Sequence, residues 1–133
     1  MITAYIDGSS IGNPGKAGVG YLIRKGNKLI QEESIYLGIQ SNNFAEYMGL
    51  IFALTDILAQ GEKDCHIYTD SKLVCEQIKG NFKVKHQNIL PLYTLAKRMI
   101  SKLDKFKIEH ILRDKNKEAD KLARKATGFL TQA

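Results

Sequence analysis

Hydrophobic and polar positions alternate from the start of the chain. Ile2, Ala4 and Ile6 fall on one side of an extended segment, and Thr3, Tyr5 and Asp7 on the other. This predicts a strand over Ile2–Gly8 that closes on a carboxylate. A Gly-rich turn is expected over Gly12–Gly20, followed by a second strand, Val19–Arg24. Lys25-Gly26-Asn27-Lys28 has the small residues of a tight reversal. A third strand is expected over Leu29–Leu37, so the chain opens as a three-stranded antiparallel meander.

The period then changes. Ser41-Asn42-Asn43 is a helix start, and Phe44 to Leu58 is apolar on nearly every face, with Glu46 the only charged residue between Phe44 and Thr55. Cys65–Thr69 reads as a short strand, Ser71–Lys79 as a helix, and Asn88–Leu103 as another with Pro91 in its first turn. Phe106–Leu112 reads as the last strand and Lys117–Ala126 as the last helix, its apolar side formed by Ala119, Leu122, Ala123 and Ala126. The order is β-β-β-α-β-α-α-β-α. Strand–helix–strand units imply parallel pairing, so an α/β fold is expected: one mixed five-stranded sheet with helices on both faces.

At 133 residues and 44% hydrophobic content, the chain suits one globular domain over 1–133. No apolar run approaches the roughly 20 residues of a membrane span, and no secretory leader is visible. Cys65 and Cys75 form no metal-ligand spacing. Both are expected to be reduced thiols in a cytoplasmic protein. Without a long apolar surface stripe, a monomer is expected. The net charge of +6 is uneven: residues 1–71 hold 5 Lys/Arg against 8 Asp/Glu, residues 72–133 hold 15 against 6. A basic half beside an acidic half suits a polyanion on one side and cations on the other, although a Lys-rich solvated surface gives the same count.

Four acids stand out by position. Asp7 precedes Gly8 and also reads as a turn residue. Glu46 lies in an apolar helix, where an unpaired carboxylate is costly to bury, and also near a helix N-terminus, which favours it. Asp70 follows a strand, where sites gather in open α/β sheets, and also suits the N-cap of the next helix. Asp120 sits at the edge of the last helix's apolar face.

Five motifs tie these residues together: Tyr5-Ile6-Asp7-Gly8-Ser9, Gly12-Asn13-Pro14-Gly15, Ser41-Asn42-Asn43-Phe44-Ala45-Glu46, Tyr68-Thr69-Asp70-Ser71, and Asn116-Lys117-Glu118-Ala119-Asp120-Lys121-Leu122-Ala123-Arg124. In this order the chain resembles a type 1 ribonuclease H over about residues 1–127. The resemblance implies the ribonuclease H-like fold, with Asp7, Glu46, Asp70 and Asp120 as catalytic and metal-binding carboxylates. It also implies endonucleolytic hydrolysis of the RNA strand of RNA–DNA hybrids, leaving 5′-phosphate and 3′-hydroxyl ends. An all-oxygen ligand set without His or Cys suits Mg²⁺ or Mn²⁺ over Zn²⁺, with two ions per site when substrate is bound. Residues matching Gly12, Asn13, Ser41, Asn42 and Asn43 contact the hybrid's minor groove in the family, where the 2′-hydroxyl distinguishes RNA. Ser71 and Lys72 follow Asp70 closely and are candidate substrate-binding residues, with Lys72 reading equally as a phosphate contact or as a solvated side chain.

Between residues 79 and 107, eight Lys/Arg and one acid, Asp104, form a candidate phosphate track. Two features depart from the family pattern. The Gly80–Gln87 segment is short and the chain has no Trp, so the basic handle of many members is missing or reduced. The loop Leu112–Asn116 has no His, which leaves Arg113 or Asp114 to assist turnover; His110, on the preceding strand, reads as structural. These departures motivate an alternative: a nucleic-acid-binding protein of this fold with weak or no nuclease activity. A DNA exonuclease of the same superfamily is a third reading, against which the Asn-rich segment argues.

Overall fold

The opening alternation forms a strand longer than the pattern predicts. The computed structural model describes residues 1–131, with side chains through residue 128, so the last two residues of the expected 1–133 domain lie outside the described range. β1 spans Ile2–Gly12, β2 Gly15–Lys25 and β3 Lys28–Gln40. The expected Gly-rich turn contracts to Asn13-Pro14, because Gly12 pairs with Gly15 and Gly8 with Val19 along one continuous hairpin. These glycines sit within the ladder instead of breaking it.

α1 follows at Asn42–Ala59 and β4 at Asp64–Thr69. α2 is Lys72–Lys79, α3 Leu90–Ile100 and β5 Lys105–His110. A 3-10 turn at Arg113–Lys115 leads into α4, Lys117–Thr131. β5 is shorter than expected: Ile111 N–H still donates to Thr69 O, but Leu112 has left the sheet and is 64% exposed. The sheet order is β3-β2-β1-β4-β5, antiparallel across β1, β2 and β3 and parallel across β1, β4 and β5.

Helices cover both faces. Gly8 and Asp7, adjacent in β1, face opposite sides of the sheet. A Cβ at Gly8 would lie 2.3 Å from the Ala45 carbonyl carbon of α1. Gly20, the register partner of Asp7, faces α4, and a Cβ there would lie 2.3 Å from Ala119 O and Ala123 N. β2 is therefore buried without interruption from Ala17 to Ile23, as expected of a strand covered on both faces. The core joins Ile2, Ala4 and Ile6 to Val19, Tyr21 and Ile23, with Leu50, Leu54 and Ile57 of α1 packed over them. α3 packs on the outer side of α1, which accounts for that helix's nearly uniform apolarity.

Both contacts at Gly20 are with helix backbone, which cannot swing aside. Gly20→Ala is expected to cost about 2–3 kcal/mol of unfolding free energy, in the range of core overpacking. Urea unfolding measures this, and an unchanged midpoint would contradict the close approach of α4.

Candidate active site

The parallel pairing of β1 with β4 ends at the rung Ile6–Thr69. Asp7, in the middle of β1, and Asp70, just past the end of β4, are the next residues on the two chains, so both carboxylates stand where the parallel pairing opens. α1 brings Glu46 to the same place because Gly8 admits its backbone. Gly8 N–H then donates to Glu46 Oε1 and fixes that carboxylate. Oxygen atoms of Asp7, Glu46 and Asp70 all lie within 4.8 Å of one another. Asp7 is 4% exposed and the other two are half-buried.

Asp70 does not cap α2. Ser71 takes that place, its Oγ accepting from Val74 N–H at 3.2 Å, and Asp70 is left free to join the cluster. Asp120 comes from the first turns of α4. It lies against Asp7 but outside the three-carboxylate group, and its Oδ2 accepts from Arg124. The four sequence-expected acids are thus three in one cluster and one beside it.

Crowding sets the electrostatics. Burial first, then the charges of Glu46 and Asp70, then the contact with Asp120, push the Asp7 carboxyl up to about 10. Burial and the Asp70 charge raise Glu46 to about 8, against the lowering effects of the Gly8 N–H, Asp7 and Arg113. Such a cluster takes up either protons or cations. Its ligand set is oxygen only, which fits a hard divalent ion such as Mg²⁺ or Mn²⁺.

A groove surrounds the cluster, lined by Ser9, Ser10, Asn42, Asn43, Arg113 and Arg124 beside the acids. Ser41 caps α1 by accepting from Phe44 N–H at 3.1 Å, and Asn13 Oδ1 accepts from Asn42 N–H at 3.1 Å. The β1–β2 turn and the start of α1 are therefore tied together at one rim. Gly12 and Lys72 are exposed at the end of β1 and the start of α2.

Asn43 also borders a second groove, with Leu73, Phe82, Lys83, Lys85 and His86. Gln77 anchors its wall: its Nε2 donates to Lys83 O, while Tyr47 Oη donates to its Oε1. The segment between α2 and α3 is short, as expected, but it still presents cations and an aromatic beside the first groove. Two cations of the candidate phosphate track have partners within the chain. Lys97 Nζ donates to Ile78 O, and Lys107 sits on β5 4.0 Å from Glu109. His110 is exposed at the end of β5, and Cys65 and Cys75 are buried and free.

Ser9, Asn116 and Arg124 fall within the sequence motifs, which mark no role for them, and nothing local marks Ser10. Asn116 stands one helical turn before Asp120, a spacing that could have marked it.

A family model described as "Reverse transcriptase-like" matches residues 5–126. The RNase H1 of Halobacterium salinarum superposes with a TM-score of 0.92 at 34% identity, over 99% of this chain and 98% of that one. The chain belongs to the type 1 ribonuclease H family. Among other solved members, LC11-RNase H1, determined in complex with an RNA/DNA hybrid, superposes with a TM-score of 0.93 at 32% identity, over 98% of this chain and 99% of that one. The bifunctional protein Rv2228c of Mycobacterium tuberculosis is 38% identical over 129 residues, 96% of this chain. The chain spans only 35% of that relative's length, and the N-terminal RNase H domain of the relative superposes with a TM-score of 0.92.

The raised carboxyls make a stability prediction for this ribonuclease H domain without metal. Asp7 holds its proton more tightly folded than at its ordinary value of 3.8. The corresponding stability is therefore full below the ordinary value of 3.8 and is lost progressively as pH rises from there to the folded value of about 10. Asp7→Asn removes that loss. Its melting temperature in EDTA should exceed the parent's by about 3 °C or more near pH 8, with little difference near pH 4. Equal melting curves at both pH values would contradict the assigned crowding.

Proposed function

We propose that this domain is a divalent-metal-dependent endonuclease that hydrolyses the RNA strand of RNA–DNA hybrids. The observation that carries the reading is the convergence of Asp7, Glu46 and Asp70 within 4.8 Å, with Asp7 and Glu46 lining a groove shared with Asn42 and Asn43. The hybrid seen on LC11-RNase H1 supports the substrate class.

Asp7, Glu46 and Asp70 would hold Mg²⁺ or Mn²⁺, two ions when substrate is present, releasing the protons that the crowded cluster otherwise retains. Bound there, the ions supply activation of a water for in-line attack on phosphorus and stabilisation of the leaving 3′ oxygen, which gives 5′-phosphate and 3′-hydroxyl ends. The Gly8 N–H keeps Glu46 turned into the cluster. Asn42, Asn43, Ser9 and Ser10 offer amides and hydroxyls to the minor groove, where the 2′-hydroxyl marks the RNA strand. Gly12, Asn13 and Ser41 hold that rim in place. Arg113 and Arg124 stand on the opposite wall, where they would meet phosphates, and Ser71 and Lys72 flank Asp70. The second groove, with Phe82, Lys83, Lys85 and His86, extends the path for the uncut strand. We also infer that the domain works as a cytoplasmic monomer, supported by two free buried thiols.

Two observations favour the alternative of a weak or inactive nuclease that binds hybrid. Arg124 engages the Asp120 carboxylate, and no His lies in the loop before α4.

A labelled hybrid incubated with Mg²⁺ and then Mn²⁺ separates the two readings. Cleavage of the RNA strand alone is expected, abolished in Asp70→Asn and absent on an all-DNA duplex. Hybrid bound but uncut with both metals would favour the alternative. Asn43→Ala should raise KM about fivefold with kcat little changed, the effect of losing one hydrogen bond of about 1 kcal/mol. An unchanged KM would remove Asn43 from the substrate path.

A further inference from the structure

Asn116 is 1% exposed, among the most buried polar residues described. It sits where the 3-10 turn meets α4, and its backbone carbonyl accepts from Asp120 N–H at 3.0 Å. Its side chain does not cap the helix. Nδ2 donates to Ile6 O of β1 at 2.8 Å and to Asp70 Oδ2 at 3.4 Å. The two amide hydrogens thus reach the backbone of β1 one residue before Asp7 and the carboxylate of Asp70 just past β4. Its Oδ1 is buried with no protein partner among the described residues. A residue held only to fill space would not carry a buried amide oxygen without a partner. What the site uses is the pair of N–H donors.

We infer that Asn116 is a positioning residue for metal binding: it clamps the Asp70 carboxylate to the backbone of β1 one residue before Asp7, and so sets the spacing of the two ligands. The inference rests on the reading of Asp70 as a metal ligand. Groups that orient metal ligands in this way typically govern 10–100-fold in affinity or activity. The clamp also links α4 to the cluster, since one residue carries both the Asp70 contact and the first backbone bond to Asp120.

The test compares Asn116→Leu, Asn116→Ser, Asp70→Asn and the double variant Asp70→Asn/Asn116→Leu. Mn²⁺ affinity is measured by calorimetry on metal-free protein, with thermal unfolding in EDTA and hybrid cleavage alongside. Asn116→Leu keeps the branching of the side chain, with somewhat more bulk, and removes both donors. It should lower the melting temperature in EDTA by several degrees through the Ile6 carbonyl left without this donor, weaken Mn²⁺ binding about tenfold or more, and lower kcat with KM for hybrid little changed. Asn116→Ser retains one donor and should fall between; it carries the same test should the Leu variant not fold. In the Asp70→Asn background, Asn116→Leu should cause no further loss of Mn²⁺ affinity. Parent-like Mn²⁺ affinity in Asn116→Leu, or additive losses in the double variant, would overturn the inference while Asp70→Asn still loses metal. Parent-like affinity in Asp70→Asn would overturn the metal-centre reading and this inference with it.

Discussion

Two helix backbones reach the sheet because β1 and β2 carry no side chain at Gly8 and Gly20. These glycines lie on neighbouring rungs of one hairpin and face opposite sides. α1 comes down on one and α4 on the other, and the Asp7 carboxylate stands between them. Everything chemical in the molecule depends on that double approach. It brings Glu46 close enough for its carboxylate to accept from the Gly8 backbone. It brings Asp120 against Asp7, and it seats Asn116 where it reaches both Ile6 and Asp70. A methyl group at either glycine would push a helix outward and loosen the cluster along with the core.

The fold then holds an arrangement that is unfavourable in itself. Buried, like-charged carboxyls resist ionising together, and their pKa values rise. The domain tolerates this because the surrounding structure is over-determined. β2 is covered on both faces, α1 is packed between the sheet and α3, and α2 is tied to α1 through Tyr47 and Gln77. On the proposed reading, bound cations would relieve this crowding, so stability and metal affinity would change together.

Much of this was legible in the residues. The element order and the mixed sheet followed from where a period of two gives way to one of 3.6. The three clustered acids stood out because each reads as lying at a strand end or within an apolar helix. Boundaries were less legible where glycine had two meanings. Gly15, Gly18 and Gly20 read as a turn because glycine usually marks one, but here they make room for a helix and for chain reversal inside a continuous ladder. Leu112 read as strand because it is apolar, yet it extends past the last paired residue into solvent. Asp70 and Ser71 are both good caps, and only packing decides which one caps α2. The role of Asn116 was hidden for a similar reason. Its partners are 110 and 46 residues away, and its spacing from Asp120 points to a shared helix face without pointing to either partner.

The central claim is that Asp7, Glu46 and Asp70 form one divalent-metal centre. Anomalous diffraction from crystals soaked in Mn²⁺ tests it most directly. The account expects a strong peak bonded by oxygens of these three residues and lost in Asp7→Asn crystals of unchanged fold. Well-ordered crystals with no peak at the cluster, or with Mn²⁺ bound only elsewhere, would contradict it.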